Sequence, residues 1–375
     1  MNSLSAQLNR ILKDSVPTVT PALQLVVLQH GKTIYDQAAG WLDPETRQRP
    51  VRRDTRFDLA SVTKLFVTTA LMTLCDAGQV DLRQPVSTVL PEFSGKRPIQ
   101  PYEHPLQKNE FVSLCEEGGE IDAGQITFTN LLTHRSGLPA WRPLFRQADA
   151  VHARRMATET FFSYPTNQHI VYSDIGLILI GLALERLTGQ PLQEVIRDRV
   201  LTPLELRHTR YYGLPQRSSA VNVAPTEFCQ WRHRRIVGEV HDENAARLGG
   251  VSGHAGLFST ARDVARFGQL FLEGGSPILH AETVAEMSRL HAEEGAVRRG
   301  IGFVLWSPDP EASGNPFSQQ AFGHTGFTGT SLWIDPVRQL VVALLTNEVY
   351  YGRENRKIAS LRVNIHRVIV EGLTR

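Results

Sequence analysis

Short apolar runs separated by turn residues mark both ends of the chain. Near the start, residues 23–28 are aliphatic apart from Gln24, His30-Gly31-Lys32 supplies a turn, and residues 33–39 resume an extended pattern, which predicts a β-hairpin. Near the other end, similar short runs lie at residues 301–306, 322–325, 331–334 and 340–346. Because short turns join these runs, we expect them to pair as antiparallel strands.

Between the two ends, the apolar residues recur at helical spacing. Residues 64–77 are apolar on a wide face and end at Gly78, and residues 175–187 end at Thr188-Gly189. Thr260 precedes residues 261–273 in a capping pattern and opens another helix. Two further helices are predicted over residues 3–14 and 353–371.

The order of these elements predicts an α+β fold, with one antiparallel sheet flanked by helices and an inserted helical lobe. Strands at both ends of the chain can share one sheet, and the central helices then form the lobe. We expect a single domain over residues 1–375, with a sheet subdomain from about 1–60 and 290–375 and the lobe from about 61–289. A cleft between sheet and lobe is the expected place for a site.

Composition and charge exclude several classes of protein. The chain has 375 residues, of which 41% are hydrophobic and 21% charged, so it is long enough for a sizeable core and unlike a disordered or fibrous protein. Its 40 basic and 38 acidic residues give a formal net charge of +2, which provides no general attraction to nucleic acid or to an anionic membrane. The first residues lack a continuous apolar signal segment, and no run approaches a membrane-spanning length. We expect no nucleic-acid partner, no membrane span and a cytoplasmic location, while the oligomeric state stays open.

Motifs for metals and cofactors are missing from the sequence. Cys75, Cys115 and Cys229 lack C-x-x-C spacing, and their odd number argues against a disulfide framework, so we expect buried or partly buried free thiols. No H-E-x-x-H pattern and no phosphate-binding loop occur. The sequence therefore predicts neither a metal nor a cofactor, although five potential ligands cluster along the chain at His233, His241, Asp242, Glu243 and His254.

The first candidate for chemistry is Ser61-Val62-Thr63-Lys64, which opens a predicted helix. Residues three apart lie on one helix face, so the Ser61 hydroxyl and the Lys64 amine can meet. A serine at a helix start lies beside free N–H groups, and a desolvated lysine amine can act as a base. The pattern alone is weak, because S-x-x-K is expected about once by chance in a chain of this length. A capping serine beside a solvated lysine is the simpler explanation.

Two further segments carry candidate chemistry. In Tyr172-Ser173-Asp174, a nearby ammonium would lower the pKa of the phenol from about 10 and let the phenolate take a proton. The simpler explanation is that Ser173 or Asp174 caps the next helix while Tyr172 packs. Gly323-His324-Thr325-Gly326 enters a turn, where a glycine lets a substrate lie against the strand edge and the N–H of Phe327 can face a site. The alternative there is a strand end with a surface histidine.

In chain order, S-x-x-K, Tyr-x-Asp and His-Thr-Gly resemble the three motifs of the serine β-lactamase and penicillin-binding-protein superfamily. The looser pattern resembles its class-C-like branch, which includes D-Ala-D-Ala carboxypeptidases, D-aminopeptidases and esterases. Residues 131–139 (LLTHRSGLP) and 253–260 (GHAGLFST) are similar to two further segments of that family. The resemblance covers about residues 20–370.

The resemblance implies a β-lactamase-like fold and an acyl-enzyme mechanism. Ser61 would attack a carbonyl carbon, and Lys64 and Tyr172 would share the proton transfers, with the base at acylation left open. The backbone N–H groups of Ser61 and Phe327 would form the oxyanion hole. The expected substrate contacts are Asp174, His324, Thr325 and Gly326.

Two departures from the family pattern bear on the substrate. The third motif usually begins with lysine, whose fixed charge suits a carboxylate, and His324 is only partly charged near neutrality, which puts efficient β-lactam hydrolysis in doubt. The second motif often ends in asparagine, whereas an ionised Asp174 only accepts and would favour an amine on the substrate. We expect a serine hydrolase acting on D-amino-acid-containing peptides or small esters. The alternatives are a β-lactamase and a catalytically silent binding domain.

Overall fold

The computed structural model describes residues 4–107, 109–116, 118–213, 222–354 and 356–373. The helices within these ranges are, in chain order, α1 (Leu4–Ser15), α2 (Thr63–Asp76), α3 (Phe128–Leu132), α4 (Ala150–Thr158), α5 (Asp174–Thr188), α6 (Leu192–Ile196), α7 (Glu243–Arg247), α8 (Ala261–Leu272), α9 (Ala281–Ser288) and α10 (Ile358–Leu373). Short 3-10 turns lie between them, and the one at Ala60–Val62 leads directly into α2.

One antiparallel sheet of eight strands dominates the fold. In chain order, the strands are β1 (Ala22–Gln29), β2 (Lys32–Gly40), β3 (Phe57–Asp58), β4 (Lys96–Pro98), β5 (Tyr102–Glu103), β6 (Phe111–Val112), β7 (Glu120–Asp122), β8 (Arg210–Tyr211), β9 (Phe228–Cys229), β10 (Arg234–Arg235), β11 (Leu257–Ser259), β12 (Ala292–Glu294), β13 (Val297–Arg299), β14 (Val304–Leu305), β15 (Phe322–Thr325), β16 (Ser331–Asp335) and β17 (Leu340–Thr346). Eight of them form a sheet in the order β12-β13-β14-β15-β16-β17-β1-β2. The first hairpin thus joins the last strands through β1 and β17, with Val26 opposite Ala343. The predicted α+β class and the antiparallel sheet from both ends of the chain are confirmed.

Both faces of this sheet are covered, since the central strands β1, β16 and β17 are buried at nearly every position. Successive side chains of a strand point to opposite faces. Leu23, Leu25 and Val27 pack with α1 and α10 in one buried cluster, whereas Val26 and Leu28 join the larger cluster that contains α2 and α8. The run of residues 23–28 in β1, in which Gln24 is the one polar residue, therefore indicates a strand buried on both sides.

Two predicted elements are shorter in the structure than in the sequence-based prediction. The run at 301–306 is extended only at Val304–Leu305, because Gly302 adopts a positive φ of 75° and its N–H donates to the carbonyl of Leu132. The last helix begins at Ile358, not at Arg353. Its start is fixed by the carboxylate of Glu348, which accepts from the N–H groups of Lys357 at 2.6 Å and Ile358 at 2.9 Å.

The predicted helices at 64–77, 175–187 and 261–273 form within one residue of their expected bounds. The helix α8 packs on the sheet, and the division into subdomains at residues 60 and 290 stays a prediction. Cys75 and Cys115 are half-buried free thiols and Cys229 is a buried one, as expected.

Within the described ranges, no single helix is both long and apolar enough to cross a membrane. The pair Asp174–Thr188 and Leu192–Leu201 meets the length and composition test only as two segments bent by 83°. The cytoplasmic location stays a prediction.

Candidate active site

Ser61 lies in a strained turn that the neighbouring residues hold in place. Ala60 has a φ of 46°, a left-handed conformation that costs an alanine roughly 1 kcal/mol. The carboxylate of Asp58 accepts from the N–H of Ala60 at 2.8 Å and from the N–H of His241 at 2.6 Å. Ser61 is the N-cap of neither helical segment here, so the explanation of Ser61 as a capping serine is wrong. The Ser61 hydroxyl therefore makes no helix-capping hydrogen bond and can bind other groups.

Three acceptors surround the buried ammonium of Lys64. Its Nζ lies 2.9 Å from Oγ of Ser61, 2.9 Å from the carbonyl oxygen of His254 and 2.8 Å from Oδ1 of Asp174. Burial alone would lower the pKa of Lys64, but Asp174 and Tyr172 outweigh it and raise that pKa above its ordinary value. Two N–H groups of Lys64 donate to Ser61 Oγ and to the carbonyl of His254, and Asp174 lies at ion-pair distance. In this protonation state Lys64 donates to Ser61 and cannot accept its proton.

Tyr172 lies against the same ammonium, with its hydroxyl buried. Its ring centroid is 4.9 Å from Nζ of Lys64, and its Oη has no hydrogen-bond partner among the described residues. Burial raises the pKa of Tyr172, while Lys64 opposes that rise. Rings of His134 and His324 flank the phenol, with centroid distances of 4.7 Å and 5.8 Å. The phenol is therefore held between these rings and the ammonium of Lys64, with its hydroxyl buried.

The backbone around Tyr172 is fixed by two neighbours. Ser173 caps α5: its Oγ accepts from the N–H of Gly176 at 3.3 Å and donates to the carbonyl of Pro139 at 2.7 Å. The N–H of Ser173 donates to Nδ1 of His134 at 3.1 Å, so His134 carries its proton on Nε2. Burial and the nearby cations lower the pKa of His134 well below its ordinary value, which keeps the ring neutral. His134 belongs to the 131–139 segment but was not among the predicted site residues.

His324 is a buried and neutral residue. Its side chain is 2% exposed, and its Nδ1 lies 2.8 Å from the carbonyl oxygen of Thr325, so Nδ1 is the protonated nitrogen. Burial, together with Lys64 and Arg299, lowers the pKa of His324 to about 3. The alternative of a surface histidine is wrong, and so is the expectation of a partial charge. Nε2 remains a buried acceptor without a partner among the described residues.

The turn after β15 docks on the turn that carries Ser61. Thr330 Oγ1 donates to the carbonyl of Leu59 at 2.8 Å, and Thr328 Oγ1 donates to the carbonyl of Asp58 at 2.7 Å. A Cβ added to Gly326 would lie 2.1 Å from Thr330 Oγ1 and 2.5 Å from the carbonyl oxygen of Leu59. The close packing at this position therefore requires a glycine at 326, in addition to the substrate contact expected from the sequence.

Phe327, the next residue, is held on both sides. Its ring stacks on that of His241 with centroids 5.7 Å apart, and its carbonyl accepts from the guanidinium of Arg356. Thr325 ends β15 half-buried, with its carbonyl bound to His324. The oxyanion hole of Ser61 and Phe327 and the substrate contacts of Thr325, Gly326 and His324 stay predictions.

One group of side chains offers donor atoms of the kind that metals take. Asp174, Asp242 and His254 each place one such atom within 4.8 Å of the others. These atoms already have partners: Asp174 binds Lys64, and His254 Nε2 lies 2.9 Å from Oδ1 of Asp242. His254 Nδ1 lies 2.8 Å from Oγ of Ser252. A metal ion would have to compete with the ammonium of Lys64 for Asp174, so we assign no metal to this group.

The comparisons with known proteins agree with this geometry. A family model described as Beta-lactamase matches residues 8–366. The chain belongs to the β-lactamase family. It is 32% identical over 380 residues to an N-acetylmuramyl-L-alanine amidase of Bacillus subtilis strain 168, covering 91% of this chain and 80% of that protein. It is 29% identical over 409 residues to a putative D-alanyl-D-alanine carboxypeptidase of Salmonella typhimurium, covering 98% and 88%.

Among solved structures, a class C β-lactamase from Rhodobacter sphaeroides has the same fold. Its TM-score is 0.72 at 20% identity, covering 97% of this chain and 99% of that one. The β-lactamase-family protein described here is therefore a serine hydrolase with a β-lactamase-like fold, as its motifs indicate. The resemblance stated from the sequence is confirmed, and so is the expectation of an enzyme. The identity of its substrate is a separate question.

Proposed function

We propose that this serine hydrolase cleaves D-amino-acid-containing peptides or small esters through an acyl-enzyme on Ser61. The observation that carries the proposal is the distance of 2.9 Å between Nζ of Lys64 and Oγ of Ser61, with Tyr172 packed against the same ammonium. A hydroxyl beside a basic pair is the arrangement of an activated nucleophile. Burial of Lys64 and of the Tyr172 hydroxyl fixes both groups beside Ser61.

The proton balance gives the order of steps. With Lys64 as an ammonium and Tyr172 as a phenol, neither group can accept the proton of Ser61, so the pair first loses one proton. Ser61 Oγ then bonds to the carbonyl carbon while its proton passes to the pair, and the negative oxygen is held by the N–H groups of Ser61 and Phe327. Collapse of this intermediate breaks the bond to the leaving group, which takes that proton from the pair.

Hydrolysis of the acyl-enzyme repeats these steps with water. The pair takes a proton from the attacking water, with Tyr172 as the base that we favour, and returns a proton to Ser61 as the ester bond breaks. The buried Nε2 of His324 offers a lone pair and no charge. An acceptor at this place suits a peptide N–H better than a carboxylate, which supports peptides over β-lactams as substrates.

A second candidate is the amide bond between a muramyl lactyl group and L-alanine. The relative from Bacillus subtilis is named for this bond, and it aligns with 91% of this chain at 32% identity. The same acyl-enzyme chemistry applies, because the lactyl carbonyl would be attacked by Ser61 and L-alanine would leave. The candidates differ in the acyl group that Ser61 carries.

The test compares p-nitrophenyl acetate hydrolysis by the wild type, by Ser61→Ala and by Ser94→Ala, which changes an exposed serine. We expect turnover in the wild type and Ser94→Ala, and none in Ser61→Ala. Equal activity in all three would show that Ser61 is not the nucleophile. N-acetyl-D-Ala-D-Ala and N-acetylmuramyl-L-alanine, each followed by mass spectrometry of the products, then separate the two candidate substrates.

A further inference from the structure

Arg299 is a cation beside Tyr172 that has no acidic partner. Its Cζ lies 5.5 Å from the centroid of the Tyr172 ring, and its Nε is buried without a hydrogen-bond partner. In the part of the chain that the structure describes, no carboxylate forms an ion pair with it. Arg299 is half-buried and its Nε is fully buried, so part of its charge is removed from water without an ion pair, and a nearby negative charge would stabilise it.

The groups that face the phenol come from several elements. They are Ser61 in the turn before α2, Lys64 at the start of α2, Asp174 at the start of α5, His134 after α3, Arg299 on β13 and His324 on β15. Both histidines are neutral, for the reasons given above. The charges of Lys64 and Asp174 cancel, which leaves the single positive charge of Arg299. A phenolate at Tyr172 would bring the local charge to zero.

We propose that Arg299 stabilises the phenolate of Tyr172 and thereby helps to set the pH at which the Lys64–Tyr172 pair can accept the proton of Ser61. The inference rests on the acyl-enzyme chemistry of the proposed function. Lys64 and Arg299 both lie within 6 Å of the phenol ring centroid, at 4.9 Å and 5.5 Å. Arg299 touches none of the reacting atoms, so it is a positioning residue that acts through Tyr172.

The chemistry of the guanidinium suits this role. Burial lowers the pKa of Arg299 and the phenol of Tyr172 opposes that fall, because a phenolate at Tyr172 and the guanidinium attract each other. A guanidinium keeps its charge throughout the pH range in which enzymes work. His324 cannot supply that charge, because its ring is neutral and its Nδ1 proton is bound to the carbonyl of Thr325.

The neighbouring residue offers a matched control. Arg298 lies next to Arg299 on β13, and successive side chains of a strand point to opposite faces. Arg298 pairs with Glu293 at 3.2 Å and stacks near Trp306, away from Tyr172. Arg298→Gln and Arg299→Gln therefore remove the same formal charge from the same strand, and only the second removes it from the site.

The experiment is an optical titration of tyrosinate that needs no turnover. Ultraviolet absorbance is followed against pH in the wild type, Arg299→Gln, Arg299→Lys and Arg298→Gln, each with and without Tyr172→Phe, and the difference isolates Tyr172. We expect its titration in Arg299→Gln to move up by about one pH unit, the size typical of a nearby charge. Arg299→Lys should move it less and Arg298→Gln not at all. The acid limb of kcat/KM for p-nitrophenyl acetate should move in the same direction.

The outcomes separate this inference from the proposed function. If the Tyr172 signal does not move in Arg299→Gln, the inference is wrong even where Ser61-dependent hydrolysis is found. If the signal is unmoved but turnover falls only for substrates that carry a carboxylate, Arg299 acts on the substrate instead. If no hydrolysis depends on Ser61, the proposed function fails while the titration still reports on Arg299. Should Arg299→Gln fail to fold, Arg299→Met takes its place, because it removes the same charge and the same upward shift is expected.

Discussion

Oδ1 of Asp174 lies 2.8 Å from Nζ of Lys64, so the last residue of the second motif is the counter-ion of the lysine in the first. The pair forms because α2 and α5 pack together and each motif lies at the start of its helix. The Lys64 side chain is 1% exposed and that of Asp174 is 21% exposed. From the sequence, we expect the carboxylate of Asp174 to bind an amine on the substrate. In the structure, one oxygen of that carboxylate forms an ion pair with Lys64.

Replacing Asp174 by asparagine tests this pairing. Asp174 raises the pKa of Lys64, and without it burial acts unopposed by a carboxylate, so the pKa of Lys64 should fall. The deprotonated amine is then present at lower pH, and the acid limb of the kcat/KM profile should move down by roughly one to two pH units. Asp149→Asn, at the exposed start of α4, is the control and should leave the profile in place. An unmoved limb in Asp174→Asn would contradict the assigned counter-ion.

Lys64 and Tyr172 should behave as one proton-transfer unit. Lys64→Ala and Tyr172→Phe should each lower kcat by roughly 10²- to 10⁴-fold, the usual contribution of positioned acid–base groups. Because both act on the same proton, the double variant should lose little more than the worse single variant. The measurement is a double-mutant cycle on kcat. Multiplicative losses would indicate two independent steps, one for each residue.

The local parts of this site were predictable from the sequence, whereas its long-range contacts were not. The Ser61–Lys64 contact follows from a helical spacing of three residues, and the capping role of Ser173 follows from its place before an apolar helix. The carbonyl of His254 reaches Lys64 from 190 positions along the chain, and nothing in its own segment specifies that contact. Arg299 lies in a hairpin rich in charged residues, a pattern that ordinarily indicates a solvated surface.

Gly326 should tolerate no side chain, because two elements meet at this residue. A Cβ there would lie 2.5 Å from the carbonyl oxygen of Leu59, so Gly326→Ala should push the β15 turn away from the Ser61 turn. We expect hydrolysis to fall by at least the 10²-fold that a displacement of about 1 Å can cost. Gly213→Ala is the control, since among the described residues its added Cβ meets the carbonyl oxygen of Gly249 at 3.8 Å and nothing nearer. The measurements are the hydrolysis rate and the melting temperature of both variants. Normal activity in Gly326→Ala would show that the turn can shift without harm to the site.

Buried neutral histidines should make the fold sensitive to acid, and His366 allows this to be measured away from the site. Its Nδ1 donates to the carbonyl of Ser313 at 2.7 Å, and burial lowers its pKa to about 4. A histidine in the unfolded chain has a pKa of about 6.5, so between pH 6.5 and 4 the unfolded state binds a proton that the folded state does not. Stability from this residue is thus present above pH 6.5 and lost as the pH falls, by about 2 kcal/mol between pH 7 and 5.

His366→Asn keeps a donor near the position of Nδ1 and removes the titration. The fall in the free energy of unfolding from pH 7 to 5, measured by urea denaturation, should be smaller in this variant by about 2 kcal/mol. His280→Asn is the control, because the side chain of His280 is 69% exposed. We expect its pH dependence to match that of the wild type. If His366→Asn and the wild type lose the same stability over this range, the ring of His366 is protonated inside the fold, and the hydrogen bond to Ser313 does not keep it neutral.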